Sequence, residues 1–235
     1  MKITLLTGKI YNLQNAFDFP LEVKKSLKAT RLSLKIDAKK HIPVLTIPPF
    51  CSEKKAYKFV QEHEVWVQNA LLRTPQIRKF ENGEKISLFG SEVIITHNPT
   101  QIGSKVEDGK LLVGGDAEFL HRRVKDYIKA QAKKDFFTRS KDLAEKIGEN
   151  LKNVTIKDTK SRWGSCSSLH NINYNWRIAL APEFVINYLM AHEVSHLKHP
   201  DHSPEFWACV KNLCPDMEHG NTWLKKFGKN LNIYE

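Results

Sequence analysis

Long hydrophobic runs are missing from this chain of 235 residues: none approaches the roughly 18 apolar residues of a membrane helix. The opening "MKITLLTGKIYN" is apolar too briefly to read as a signal peptide, so the protein is expected to be cytoplasmic, with no membrane partner. Cysteine is scarce. Cys51, Cys166, Cys209 and Cys214 form neither a C-x-x-C pair nor the density of a disulfide scaffold, which excludes a small cross-linked secreted fold and leaves reduced, structural thiols as the expectation. Internal repeats and low-complexity tracts are absent too. Acidic residues are outnumbered: 18 basic face 11 acidic in residues 1–115, and 19 face 15 in the remainder, for a net charge of +11. A spread excess of this size favours anionic partners only weakly.

What is present is an ordinary globular composition, 41% hydrophobic and 27% charged, enough for one large or two small domains. Residues 31–37, "RLSLKID", alternate at period two, and "HIPVLTIPP" follows as a strand bounded by prolines. Ser52 can cap a helix with Ala56, Phe59, Val60, His63, Val67 and Ala70 on one face, ended before Pro75. "KISLF" and "EVIITH" flank Gly90-Ser91, a hairpin composition. Glycines at 103, 109, 114 and 115 suggest a boundary, giving a β-rich N-terminal domain over 1–115 and a second domain over 116–235. There a helix is expected over 116–147, then strands "NVTIKD" and "NINYNWRIAL" joined through the turn-like "TKSRWGSCSSLH". A helix opening at Pro182 follows. The fold class expected is α+β.

That last helix carries "MAHEVSHLKHPDHSPEFW", residues 190–207, with four histidines. On a helix, positions i and i+4 lie about 40° apart around the axis and about 6 Å along it, so His192 and His196 can face one ion. Glu193 projects beside them, where a carboxylate can take a proton from a metal-activated water. This is the HExxH arrangement of zinc peptidases. The second His-Glu-Val, at His63-Glu64-Val65, has Val67 where a partner histidine would stand, and reads as a partly buried histidine beside a solvated carboxylate. His199 lies two turns beyond His192, about 10.5 Å of rise, too far to share a tetrahedral ion, and Pro200 ends the helix near it. After that turn His202 can swing back, with Ser203 and Pro204 opening a new helix. A carboxylate from farther on, Glu218 or Asp216, is the alternative third ligand.

The blocks "SRWGSCSS" (161–168), "INYNWRIALAP" (172–182), "YLMAHEVSHLKHPDHSPEFW" (188–207) and "WLKKFGKNL" (223–231) resemble the YgjP-like family of zinc metallopeptidases, which is related to the SprT-like and WLM groups. The resemblance covers nearly the whole chain. It implies a zincin-like catalytic domain, one Zn2+ held by His192, His196 and His202, and Glu193 as catalytic base acting on peptide or protein substrates. Ser195 stands where alanine is usual, an exposed change of little consequence by this reading. An edge strand is expected above the active-site helix in such enzymes, with "NINYNWRIAL" the candidate; Trp163, Gly164, Asn175, Trp176 and Arg177 would then lie near bound substrate. His219, Tyr174 and Arg177 are candidates to assist an oxyanion. Two rival readings are a metal-dependent nucleotide phosphohydrolase and a DNA-associated protease; a closed structural zinc site would require Cys166 to fold over as a fourth ligand.

Overall fold

The computed structural model describes residues 3–4, 10–11, 13, 16–74, 76–159 and 161–234; Pro75 and most of the first twelve residues, on which two sequence expectations rest, lie outside them. Two compact units divide the chain, Met1–Arg78 and Lys79–Glu235.

In the first unit, β1 (Ile3–Thr4) and β2 (Ile10–Tyr11) pair antiparallel, and β3 (Glu22–Lys25), β4 (Ser33–Asp37) and β5 (Ile42–Ile47) form a sheet in the order β3-β5-β4. The helix expected after Ser52 is present but broken. It forms as α1 (Glu53–Glu62) and α2 (Glu64–Arg73), with Ser52 accepting the Lys55 N–H and His63 in a non-helical conformation between them. Ala56, Val60 and Val67 pack on Leu45 and Ile47, so the expected face is the buried one. His63 Nδ1 lies 2.7 Å from its own Phe59 carbonyl and its ring leans on the Phe59 ring, while Val65 is 70% exposed. Among the described residues the second His-Glu-Val takes no part in a metal-type cluster.

The second unit opens with β6 (Lys85–Leu88), β7 (Ser91–His97), β8 (Ser104–Glu107) and β9 (Lys110–Val113), in the order β6-β7-β9-β8. The first hairpin turns on Phe89 and Gly90, both at positive φ, one residue earlier than the composition suggested. The glycines taken for a linker instead build the β8–β9 hairpin: Asp108 and Gly109 both have positive φ, as a two-residue type I′ turn requires. This corrects the expected boundary at residue 115. Ile95, Leu111 and Val113 share one core with Val124 and Ile128 of α3 (Leu120–Lys146), and strands that bury their apolar face on a helix cannot be a domain apart from it. Along α3 the buried residues Leu120, Val124, Ile128, Ala132, Phe136, Ser140 and Ala144 recur mostly every four positions, and the helix runs unbroken.

A second small sheet packs on the helices. It consists of β10 (Asn153–Lys157), β11 (Gly164–Cys166) and β12 (Asn171–Asn175) in the order β10-β12-β11, with β10 parallel and β11 antiparallel to β12. The stretch read as a turn thus contains a strand, and β12 is central rather than at the edge. Its continuation Trp176–Leu180 is a 3-10 helix, begun where Asn175 Oδ1 accepts the Arg177 N–H. There follow α4 (Glu183–Ser195), α5 (Pro204–Leu213) and α6 (Met217–Phe227). Val185, Ile186, Leu189, Met190, Ala191 and Val194 are all buried, which makes α4 a largely interior helix whose Glu183 and Asn187 alone are exposed, where they meet Arg139.

Candidate metal centre

The HEVSH segment sits at the C-terminal end of α4, His192 and Glu193 within its last turn and His196 as its C-cap, still in the right-handed helical region. Because helical geometry persists to residue 196, the i, i+4 pair faces one way. The chain then turns sooner than Pro200 alone would demand, with the His199 N–H donating to the Ser195 carbonyl at 2.9 Å. Ser203 caps α5 by accepting the Phe206 N–H, and Asp201 Oδ1 accepts the Ser203 N–H, so residue 202 is held from its C-terminal side.

This turn returns His202 to the pair. One ring nitrogen from each of His192, His196 and His202 falls within 4.8 Å of the others, and the Nε2 atoms of His192 and His202 are 3.3 Å apart. Two imidazole nitrogens bound at about 2.0–2.1 Å to a tetrahedral ion stand about 3.3 Å apart, so this spacing suits a shared cation. His196 Nδ1 is 3.0 Å from the His199 carbonyl oxygen. A carbonyl only accepts, so Nδ1 carries the proton and Nε2 keeps its lone pair. His199, outside the cluster, thereby orients the His196 ring through its backbone. Burial, then the neighbouring His196 and His202, hold His192 down to about 4; burial also lowers His196. His192 is therefore neutral at neutral pH, the form that binds metal. Its Nδ1 is buried without a hydrogen-bond partner among the described residues. Phe206, fully buried, sets its ring 4.4–5.0 Å from all three imidazole centroids. It is a wall that the sequence reading used only as part of a helix start.

Glu193 is 5% exposed, and burial pushes its carboxyl up to about 8 against the opposing pull of Arg162. No described residue hydrogen-bonds it. It is held by Gly164: a Cβ there would stand 2.6 Å from Glu193 Cδ and 2.7 Å from Cγ, and closer still to Oε1. Gly164 and Cys166 line one cleft of about 540 Å³ with His192, Glu193, His196 and His202. Asn175 donates to the Trp163 carbonyl and Ser167 to the Asn171 carbonyl, at the two ends of the β11–β12 ladder. Backbone direction alternates along a strand, so the N–H and C=O groups of Gly164 and Cys166 point away from β12, toward the open edge. Cys166 itself is half-buried, its thiol pushed up to about 11 by burial and then by Glu193, and it stands outside the histidine cluster.

Other expectations are corrected by position. Arg177 is buried, its Nε and NH2 on the Tyr234 carbonyl at 2.9 and 2.8 Å and its NH1 on Asp158 at 2.5 Å. Trp176 is wholly interior and, with Arg177, is carried into the core by the 3-10 turn after β12, while Asn175, the last residue of β12, donates to the Thr159 carbonyl; none of the three lines the histidine cleft. Trp163, packed over Gly228, and Asn175 line the hollows that adjoin it. The Tyr174 hydroxyl is paired with Ser140 at 3.0 Å in the core, and His219 stacks on Phe184. Neither Glu218 nor Asp216 joins the cluster. Ser195 is not exposed at all: fully buried, it donates to the Ala191 carbonyl at 2.7 Å, which satisfies its hydroxyl inside the helix.

Three imidazoles converging beside a buried carboxyl, in a cleft open to solvent, have the make-up of a metal-dependent hydrolase. The chain belongs to the YgjP-like family, whose model, described as a YgjP-like metallopeptidase domain, matches residues 30–227. A metallopeptidase, and hence a metal ion and a peptide or protein substrate, follow from that membership. None of the curated proteins matches. Among solved structures there is a likeness to the metallopeptidase zymogen of Pyrococcus abyssi abylysin, at 23% identity and a TM-score of 0.32, over 39% of this chain and 92% of that one. Among the described residues no helix is long and apolar enough to cross a membrane.

Proposed function

We propose that this protein is a zinc-dependent peptidase of zincin-like architecture, with His192, His196 and His202 as ligands and Glu193 as general base. The observation that carries the reading is the 3.3 Å approach of the His192 and His202 Nε2 atoms at the mouth of a cleft that Glu193 also lines. An all-imidazole set leaves a fourth position open, the pattern of catalytic rather than structural zinc. Cys166 does not close it.

A zinc ion held there would supply a Lewis acid that polarises the scissile carbonyl and acidifies the attacking water. Glu193 would take a proton from the attacking water and deliver it to the departing amine. Burial alone raises the carboxyl to about 8, and a cation beside it would draw it back toward the ionised form that accepts a proton. Substrate would enter extended, pairing with the free N–H and C=O groups of Gly164 and Cys166; β11 takes the edge-strand role first given to β12.

The test is to incubate zinc-loaded protein with casein and, separately, with nucleoside triphosphates. Casein cleavage that disappears in Glu193→Gln supports the proposal. Phosphate release without peptide cleavage would overturn it in favour of a phosphohydrolase.

A further inference from the structure

Of two stretches singled out in the sequence, 161–168 lines the metal cleft with residues 164–168 and 223–231 does not reach it, yet the fold brings the two together at a second place. Beside the catalytic cleft lie two hollows, of about 330 and 250 Å³, which share Thr159, Ser161, Arg162, Trp163 and Asn175 and so form one trough. Four cations line it: Lys157 and Arg162 from the sheet side, Lys225 and Lys229 from the end of α6 and the turn after it. Among the described residues no carboxylate does. Asp158, the acid next to Lys157, is already held by Arg177 at 2.5 Å and Lys125 at 3.2 Å. None of the four cations has an ion-pair partner among the described residues, whereas Lys85, Lys125, Arg139 and Lys141 each have one. The trough also includes Gly164 and Ser165, residues that line the catalytic cleft, so a chain seated on β11 runs directly onto it.

We propose that this trough binds an acidic segment of the peptide substrate, its carboxylates answering Arg162, Lys225 and Lys229. The proposal rests on the peptidase reading for its word "substrate". Four unpaired cations around one concave surface raise the local concentration of anions and repel basic sequences. A nucleic-acid strand fits less well. Sequence-tolerant binding of single strands stacks successive bases on several aromatic rings, and the trough offers one half-buried indole, Trp163, because Tyr174 is fully buried.

The experiment uses the full zinc-loaded chain carrying Glu193→Gln, with fluorescein-labelled hexaglutamate and hexaglutamine peptides followed by anisotropy at low salt. Hexaglutamate should bind more tightly than hexaglutamine, and Lys225→Ala/Lys229→Ala should weaken it roughly tenfold. Equal binding of the two peptides, or an unaffected lysine variant, would overturn the proposal. So would tighter binding of a ten-residue oligothymidylate that the same lysine variant abolishes. Casein left uncut by the wild-type enzyme, with hexaglutamate still bound at the lysines, would remove the peptidase reading while keeping the acidic-peptide site. Casein cut together with equal binding of both peptides would do the reverse.

Discussion

Gly164→Ala adds one methyl group to the cleft and should nearly silence the enzyme. Gly164 does not have a left-handed φ, so alanine is compatible with its backbone and the glycine is required for space alone. The added Cβ would meet Glu193 Cδ at 2.6 Å and Cγ at 2.7 Å, where unstrained contacts between such atoms lie at about 3.5 Å. One of the two must give by about 1 Å. Gly164 is fixed through its register opposite Tyr174, whose hydroxyl is tied to Ser140 on α3, whereas the Glu193 carboxylate has no hydrogen bond to a described residue. The carboxylate therefore moves. A displacement of about 1 Å at a reacting group costs on the order of a hundredfold in rate, about 2.7 kcal/mol of barrier.

The measurement is kcat and KM on a casein-derived peptide, with zinc stoichiometry and a crystal structure of the variant. Zinc should stay at one per chain, since no histidine ligand is touched, and the loss should fall on kcat. In a Glu193→Ala background the same Gly164→Ala change should cost less than about threefold, because the group it displaces is gone. The reasoning is refuted by a Gly164→Ala enzyme within about threefold of wild type, by an equal loss in both backgrounds, or by a crystal structure in which β11 shifts and the carboxylate does not.

His202→Ala should lose tightly bound zinc while Glu218→Ala keeps it; metal analysis after dialysis decides, and the opposite result would move the third ligand to α6. Arg177→Met should destabilise the fold by about 2–4 kcal/mol, seen as a lower Tm, by stranding the Tyr234 carbonyl and Asp158, while leaving KM within about twofold. A large KM effect at unchanged Tm would return Arg177 to the substrate. Burial raises the Asp158 pKa, but the hydrogen bond and charge of Arg177 and then of Lys125 outweigh it and hold the group at about 2, below its ordinary 3.8. A depressed carboxyl stabilises the fold above its unfolded pKa and ceases to as pH falls through the folded one. With its side chain 39% exposed, solvent screening leaves about 1 kcal/mol of this at neutral pH. Asp158→Asn should therefore lower Tm at pH 7 by about 2–4 °C, with the gap closing between pH 5 and 2; a gap constant across that range would contradict the linkage.

The convergence of the three histidines was legible because its information is local. A period of 3.6, a proline and a serine cap suffice to place His192, His196 and His202, each within ten residues of another. The second His-Glu-Val was dismissed by the same means. The rim of the cleft was not legible, and for a shared reason. Gly164 and Cys166 matter through partners far away in sequence: β11 is three residues long, too short to show period-two alternation, and its strand character comes from pairing with β12. Without β11, β12 looked like an edge, and Trp176 and Arg177 looked exposed to substrate. In the protein Arg177 instead grips a carbonyl 57 residues on. The glycines near 109 misled in a related way, since turn chemistry marks a hairpin and a linker alike; only the burial of Leu111 and Val113 against α3 separates them. Long-range pairing thus hid the strand edge along the cleft, while helical geometry revealed the histidines and the carboxyl within it. Gly164 joins the two: its missing side chain is what lets a strand specified by distant pairing lie against a base specified by its own helix.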